Sequence, residues 1–247
     1  MRHALFLLLI FIAAPAAAQD RLPAGFVLLR DIEPSIAQDM RYAGAYNFVG
    51  RALPGYDGQE CVLRAKAADA LKRVQADLGR SGLSLKVYDC YRPARAVRAF
   101  AQWAQDGRTG GLKQFYPTLA KETLFRSGYI SGASLHSNGT AVDLTIVPAQ
   151  SAIPVVTPGG NYGPCTAPAP QRAPDNSLDM GTGFDCFDTK SYTKSPAIDA
   201  TQQRNRTTLQ AAMARHGFKN YFREWWHFAY PIGEQPQQFD FPIPRRR

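Results

Sequence analysis

Histidine is scarce in this chain. Four occur among 247 residues, at positions 3, 136, 216 and 227, so any imidazole chemistry rests on very few candidates. Cysteine is equally sparse. Cys61, Cys90, Cys165 and Cys186 form no Cys-x-x-Cys pair, which argues against a four-thiolate zinc site. The zinc-protease helix motif His-Glu-x-x-His is missing, and so is the Gly-x-Ser-x-Gly elbow of serine hydrolases. Gly110-Gly111 and Gly159-Gly160 are loop glycines rather than phosphate cradles. No repeat is present. Beyond the N-terminus no apolar run approaches the roughly 20 residues of a membrane span, which excludes a polytopic membrane protein. Basic residues cluster only at Arg245-Arg246-Arg247, and no nucleic-acid-binding motif accompanies them. What remains is a globular composition, 45% hydrophobic and 20% charged.

The one long apolar run begins the chain. Arg2 and His3 supply a basic start, Ala4 to Ala14 an apolar stretch, and Ala16-Ala17-Ala18 the small residues of a cleavage site. This is the pattern of a signal peptide over residues 1–18, cut before Gln19. The expectation is a periplasmic or secreted protein with its domain over residues 19–247 and no membrane span after cleavage. No cysteine follows the cut, so no lipid anchor is expected. Loss of Arg2 lowers the formal charge from +9 to +8, an excess that favours anionic surfaces without implying nucleic acid.

Export places the four cysteines in an oxidising compartment, where an even number favours disulfides. Three pairings are possible. Nearest-neighbour pairing, Cys61 with Cys90 and Cys165 with Cys186, is expected. Each bridge would close a loop of roughly 20 to 30 residues and add about 2–4 kcal/mol.

Residues 22–60 carry too many Gly and Pro for a long helix. From Val62 the apolar residues Ala65, Ala68, Leu71, Val74 and Leu78 recur at helical spacing, and Gly79 or Gly82 ends the run. Leu83, Leu85 and Val87 then alternate with Ser84 and Lys86, as in a half-buried strand. Pro93 suits the first turn of a following helix, with Val97, Phe100 and Trp103 packing along one side. A short helix is expected over 117–125 and a buried strand over 139–147. Residues 148–196 form a long Pro/Gly-rich stretch, a length that in a compact domain lines a site or is cross-linked. Residues 199–216 read as a helix that buries Leu209, Ala212 and Met213. Residues 218–230 read as an aromatic-rich strand, in which adjacent Trp225 and Trp226 would face opposite ways. The chain ends in a short basic tail. The class is α+β in a single domain, with a small mixed or antiparallel sheet and flanking helices.

His3 leaves with the signal, and His216 at a helix end is expected to meet the last carbonyls. His136 and His227 remain. His136 sits in a polar turn that leads into a strand beginning at Asp143 among apolar neighbours. A carboxylate there requires a partner, and a metal ion is one. Glu224 lies three residues before His227. Two His and one Asp would leave a fourth zinc position for water, with a carboxylate nearby to take its proton. The residues alone equally allow a turn histidine with a hydrogen-bonded Asp143, and an ordinary Glu224–His227 ion pair.

Ser134-x-His136-x-x-Gly139-x-Ala141-x-Asp143 together with Glu224-x-Trp226-His227 resembles the zinc D-alanyl-D-alanine dipeptidases. These belong to the D,D- and L,D-peptidases that share a fold with the hedgehog signalling domain. Asp39-x-Arg41-Tyr42-Ala43 with Asn47-Phe48-x-Gly50, Asp89-x-Tyr91-Arg92-Pro93 and Met180-Gly181-x-x-Phe184-Asp185 narrow the resemblance to dipeptidases. It runs from about residue 25 to about residue 235.

The resemblance implies one zinc ion held by His136, Asp143 and His227. It implies Glu224 as general base and Arg92 as the cation that stabilises the oxyanion. It places Asp185, with Tyr42 and Ser134 lining the pocket, against the free ammonium of a small D-amino-acid dipeptide. Phe100 and Trp103 are expected to pack rather than touch substrate. The stretch from Val147 to Met180 looks longer than in compact family members. Export is a second departure, because an exported enzyme would meet free dipeptide or peptidoglycan fragments, as in recycling or nutrition. Two alternatives share the zinc residues. One is a D,D- or L,D-carboxypeptidase on peptidoglycan stem peptides, and the other is a non-catalytic zinc-containing module bound to the wall. Oligomeric state is not legible in the sequence.

Overall fold

A computed structural model describes residues 22–108, 110–233 and 237–246, so the expected signal over 1–18 lies outside the described residues. The chain enters through β1 (Phe26–Leu28), one helical turn α1 (Leu29–Ile32) and the short β2 (Ala37–Gln38). β3 (Val62–Arg64), α2 (Ala65–Gly79), β4 (Leu83–Asp89) and α3 (Ala94–Gln105) follow. After irregular chain come β5 (Ala141–Pro148), α4 (Ala200–Arg215), β6 (Lys219–Asn220) and β7 (His227–Ala229). The main sheet has the order β2-β4-β5-β7-β6, with β2 parallel to β4 and every other pair antiparallel. The expected α+β class, with a small mixed sheet, is what the chain adopts. β1 and β3 form a separate antiparallel pair.

α2 lays Leu71, Val74 and Leu78 against the sheet and against α4, whose Leu209, Ala212 and Met213 are buried as expected. α4 starts on a reciprocal cap. Asp199 accepts the N–H of Thr201 (2.8 Å) and Gln202 (2.9 Å), and Gln202 accepts the Asp199 N–H (3.1 Å). A second, aromatic cluster of Phe26, Tyr42, Phe48, Tyr91, Phe100 and Trp103 packs under α3 and beside the site.

Several elements differ from expectation. Val62 is in β3 rather than α2, because it pairs with Leu28 and accepts the Tyr91 N–H at 2.8 Å. Pro93 has extended ψ (138°) and precedes α3 instead of forming its first turn. β4 is buried on both faces, Ser84 and Lys86 included. Ser84 is covered from α2, whose Gln75 amide donates to its hydroxyl at 2.9 Å, and Lys86 is covered by the long 148–196 stretch. Its Asp175 pairs with Lys86 and accepts the Tyr88 hydroxyl at 2.7 Å, and its Phe184 stacks on Tyr88 at 4.5 Å. Over 117–125 only a 3₁₀ turn at Lys121–Thr123 forms. Leu124 is buried there while Phe125 is exposed, so no continuous apolar face supports a helix.

Residues 218–230 make a hairpin rather than one strand. The Asn220 amide donates to the carbonyls of Glu224 (3.0 Å) and His227 (2.9 Å) and closes a turn between β6 and β7. Trp225 and Trp226 lie in that turn, both buried, with rings 88° apart. The His216 ring meets Asp77 of α2 at 2.8 Å rather than the carbonyls of its own helix. Both expected disulfides form, Cys61–Cys90 and Cys165–Cys186, with Cα–Cα distances of 5.2 and 5.5 Å. Among the described residues no helix is long and apolar enough to cross a membrane.

Candidate active site

The site grows out of one row across the sheet. Asp143 of β5 stands directly opposite His227 of β7. Opposed residues of an antiparallel pair share a face with Cβ atoms about 5 Å apart. On its other side β5 meets β4, where an irregularity between Val87 and Asp89 brings Asp89 opposite Asp143. Bulges of this kind re-aim side chains beside active sites. Asp89, Asp143 and His227 thus lie in line on three strands.

His136 comes from a 3₁₀ turn over Leu135–Asn138. The Ser134 hydroxyl accepts the His136 N–H at 3.2 Å, and Gly139 at φ 77° ends the turn. A Cβ at Gly139 would come within 2.3 Å of the Phe26 ring, so both backbone angle and space require glycine here. His136 Nδ1 meets the Cys90 carbonyl at 2.7 Å, which puts its proton on Nδ1 and leaves Nε2 as an acceptor.

Nε2 of His136 lies 3.1 Å from Nδ1 of His227 and 3.3 Å from Oδ1 of Asp143. Nδ1 of His227 is 3.0 Å from the same oxygen. The three donor atoms fall within 4.8 Å of one another, and this trio could hold a metal ion. Two imidazole nitrogens and one carboxylate oxygen are a donor set that suits zinc. Burial alone would raise the Asp143 pKa, but His136 and His227 more than reverse this and hold it well below the usual carboxylate range. Burial would lower His227, and its hydrogen bond to Asp143 together with the charges of Asp143 and Glu224 outweighs that and raises it.

Around the trio is a cleft of about 330 Å³. Tyr42, Arg92, Ser134, Asp185 and Glu224 line it with the trio, so the structure brings all eight sequence-selected side chains together. Glu224 Oε2 is 3.8 Å from His227 Nδ1. Burial pushes the Glu224 carboxyl up to about 7 against the pull of His227. Arg92 is clamped by Asp89, through Nε at 2.9 Å and Nη2 at 2.8 Å, and its Nη2 reaches within 3.6 Å of Asp143 Oδ2. At one end of the cleft the Tyr42 hydroxyl donates to Asp185 Oδ2 at 2.7 Å. Burial pushes the Asp185 carboxyl up to about 8 although that hydrogen bond favours the anion. Asp185 has φ 60°, and Cys186 of the second disulfide follows it directly.

Three further residues belong to the site. Asp89 was read only as part of a motif, yet it is fully buried and holds Arg92. A carboxylate three residues before an arginine at a strand end is the signal that marks it. Tyr56 donates to Asp89 at 2.6 Å, and no pattern in the irregular 22–60 region pointed to it. Phe100, expected only to pack, lines the cleft and lies 5.2 Å beneath the Arg92 guanidinium. Trp226 lines the cleft, while Trp225 donates its indole N–H to Thr182 at 2.8 Å. Trp103 packs outside the cleft.

A family model described as D-ala-D-ala dipeptidase matches residues 23–162 and 172–243. The chain belongs to that family. The match breaks over residues 163–171, inside the long loop and at Cys165. Among curated relatives, the D-alanyl-D-alanine dipeptidase of Enterococcus faecium is 30% identical over 89% of this chain and 98% of its own length. That of Streptomyces coelicolor is 32% identical over 88% of this chain and 98% of its own length. That of Escherichia coli K12 is 30% identical over 86% of this chain and 85% of its own.

Proposed function

We propose that this protein is a zinc metallopeptidase that hydrolyses the free dipeptide D-alanyl-D-alanine to two D-alanines. The convergence of His136, Asp143 and His227 donor atoms within 4.8 Å carries the reading, because buried His136 and Asp143 and half-buried His227 turn two ring nitrogens and a carboxylate oxygen toward one point, a donor set that suits a cation. Zinc bound to these residues would polarise the scissile carbonyl and lower the pKa of a water molecule.

The remaining steps fall to side chains of this chain. Glu224 takes a proton from the attacking water on a carboxylate oxygen and passes it to the leaving amine. A pKa of about 7 suits both transfers near neutral pH. Arg92, kept charged and aimed by Asp89, meets the negative charge that develops on the carbonyl oxygen. Asp185 with Tyr42 receives the substrate ammonium. An acylated substrate brings no cation to this buried carboxyl, which selects for a free amino end. Ser134 caps the His136 turn and lines the cleft beside the substrate.

The leader over residues 1–18 would send the mature chain to the periplasm or the exterior, and two disulfides fit an oxidising compartment. Metal analysis of purified protein should return one zinc per chain. Chelation should abolish dipeptide hydrolysis and added zinc should restore it. Full activity in metal-free protein would contradict the reading.

A further inference from the structure

Residues 238–244, which lead into the basic Arg245-Arg246-Arg247 end, are laid across the three segments that aim Arg92. The Phe239 N–H donates to the carbonyl of Ser137, the neighbour of His136, at 2.8 Å. The Phe239 carbonyl accepts the N–H of Ala94, two residues after Arg92, at 2.9 Å. One peptide segment thus bridges the turn of His136 to the start of α3. The Gln238 side-chain amide donates a hydrogen bond to the Ser134 carbonyl at 3.1 Å. Farther along, Ile243 accepts the Gly58 N–H at 3.0 Å and donates to Gly55 at 2.8 Å, on both sides of Tyr56. A Cβ at Gly58 would stand 1.9 Å from the Pro244 carbonyl oxygen, so the loop is shaped to take this chain. Phe241 stacks on Tyr91 at 4.1 Å, and the Tyr91 hydroxyl donates to the Phe241 carbonyl at 3.0 Å.

Asp240 is the charged centre of the strap. α3 begins after Pro93, which gives the helix no side-chain cap. The Asp240 carboxylate supplies one from 145 positions away, accepting the Arg95 N–H at 2.8 Å. It also takes Arg95 Nε at 2.9 Å and Arg98 Nη2 at 2.8 Å. Arg92 leads into that helix, held by Asp89, which Tyr56 supports. Both ends of the Arg92 support therefore rest on residues 238–244.

We propose that this C-terminal strap is a working part of the active site, with Asp240 as the positioning residue that holds Arg92 in line with the metal trio. The inference rests on the dipeptidase reading. Asp240 touches no substrate and acts through Arg92.

A double-mutant cycle on D-Ala-D-Ala hydrolysis tests it, with zinc content and melting temperature measured for each protein. Asp240→Asn should lower kcat about tenfold while KM stays within twofold, because Arg92 acts on the transition state. In the Arg92→Ala background the same substitution should change kcat by less than twofold. Equal losses in both backgrounds, or none in the wild type, overturn the proposal. Should Asp240→Asn fail to fold, Asp240→Glu, which lengthens the cap by one methylene, is run through the same cycle with the same criteria. Failure of the underlying function shows separately, as a zinc-loaded wild type that leaves the dipeptide intact. The strap is then judged on exchange of the Arg92 Nε–H with solvent. It should be at least tenfold faster in Asp240→Asn, and an unchanged rate overturns the proposal.

Discussion

Asp185 and Glu224 are two carboxyls in one cleft, both raised by burial, with different work to do. Glu224→Gln keeps the shape and the three metal-binding side chains but cannot accept a proton. It should retain zinc and lose about 10²–10⁴-fold in kcat, and loss of zinc along with activity would count against the base role. Asp185 tests the ammonium pocket by pH. Its folded pKa of about 8 lies above the unfolded 3.8, so the folded state binds the extra proton between them. Its contribution to stability is therefore complete at acid pH and declines as pH rises through that window, by at most about 1.4 kcal/mol per pH unit. In metal-free protein, urea unfolding between pH 5 and 8 should show this slope, and Asp185→Asn should make it shallower, leaving the share that Glu224 contributes below about pH 7. A wild type as steep as the variant would remove Asp185 as the source. At this scale the rarity of histidine and the placing of Asp143 among apolar residues raised a metal trio as one reading, and the family resemblance selected it. Tyr56 was not, since its partner Asp89 is 33 positions away and only the fold joins them.

Elements set the site through pairing and turns. Gly139 shows how tightly, with its left-handed φ of 77° and the Phe26 ring against its Cα. Gly139→Ala should cost about 1–3 kcal/mol in urea unfolding and weaken zinc binding by moving His136. Unchanged zinc affinity would mean the turn tolerates the shift. The second disulfide acts at the same level, since Cys186 follows Asp185 directly. Replacing Cys165 and Cys186 with serine should raise KM for the dipeptide more than it lowers kcat. A pure loss of kcat would place the effect elsewhere. Periodicity located α2, α3 and α4, whose apolar faces are regular, and a continuous apolar run located β5. It missed the burial of Lys86, because the covering residue Asp175 lies in a stretch without periodicity. It also missed the hairpin at 218–230, which depends on the Asn220 side chain bonding to the Glu224 and His227 carbonyls.

For the molecule as a whole, a small mixed sheet carries Asp143 and His227, the turn before β5 carries His136, and segments distant in sequence close around them. The 148–196 stretch covers one face and delivers Asp185. Asp240, just before the residues read from composition as a tail, returns to the base of α3. Neither placement has a local sequence signature, because each is defined by its contacts with distant chain. The family is established by the match, while the proposed selectivity for a free dipeptide would rest on Asp185 and Tyr42. The most direct test is amine release from D-Ala-D-Ala and from N-acetyl-D-Ala-D-Ala, run side by side with zinc-loaded, disulfide-intact protein. Rapid cleavage of the free dipeptide with the blocked one untouched is the predicted result. Comparable cleavage of both, or cleavage of the blocked peptide alone, would contradict the account and assign the cleft to a carboxypeptidase.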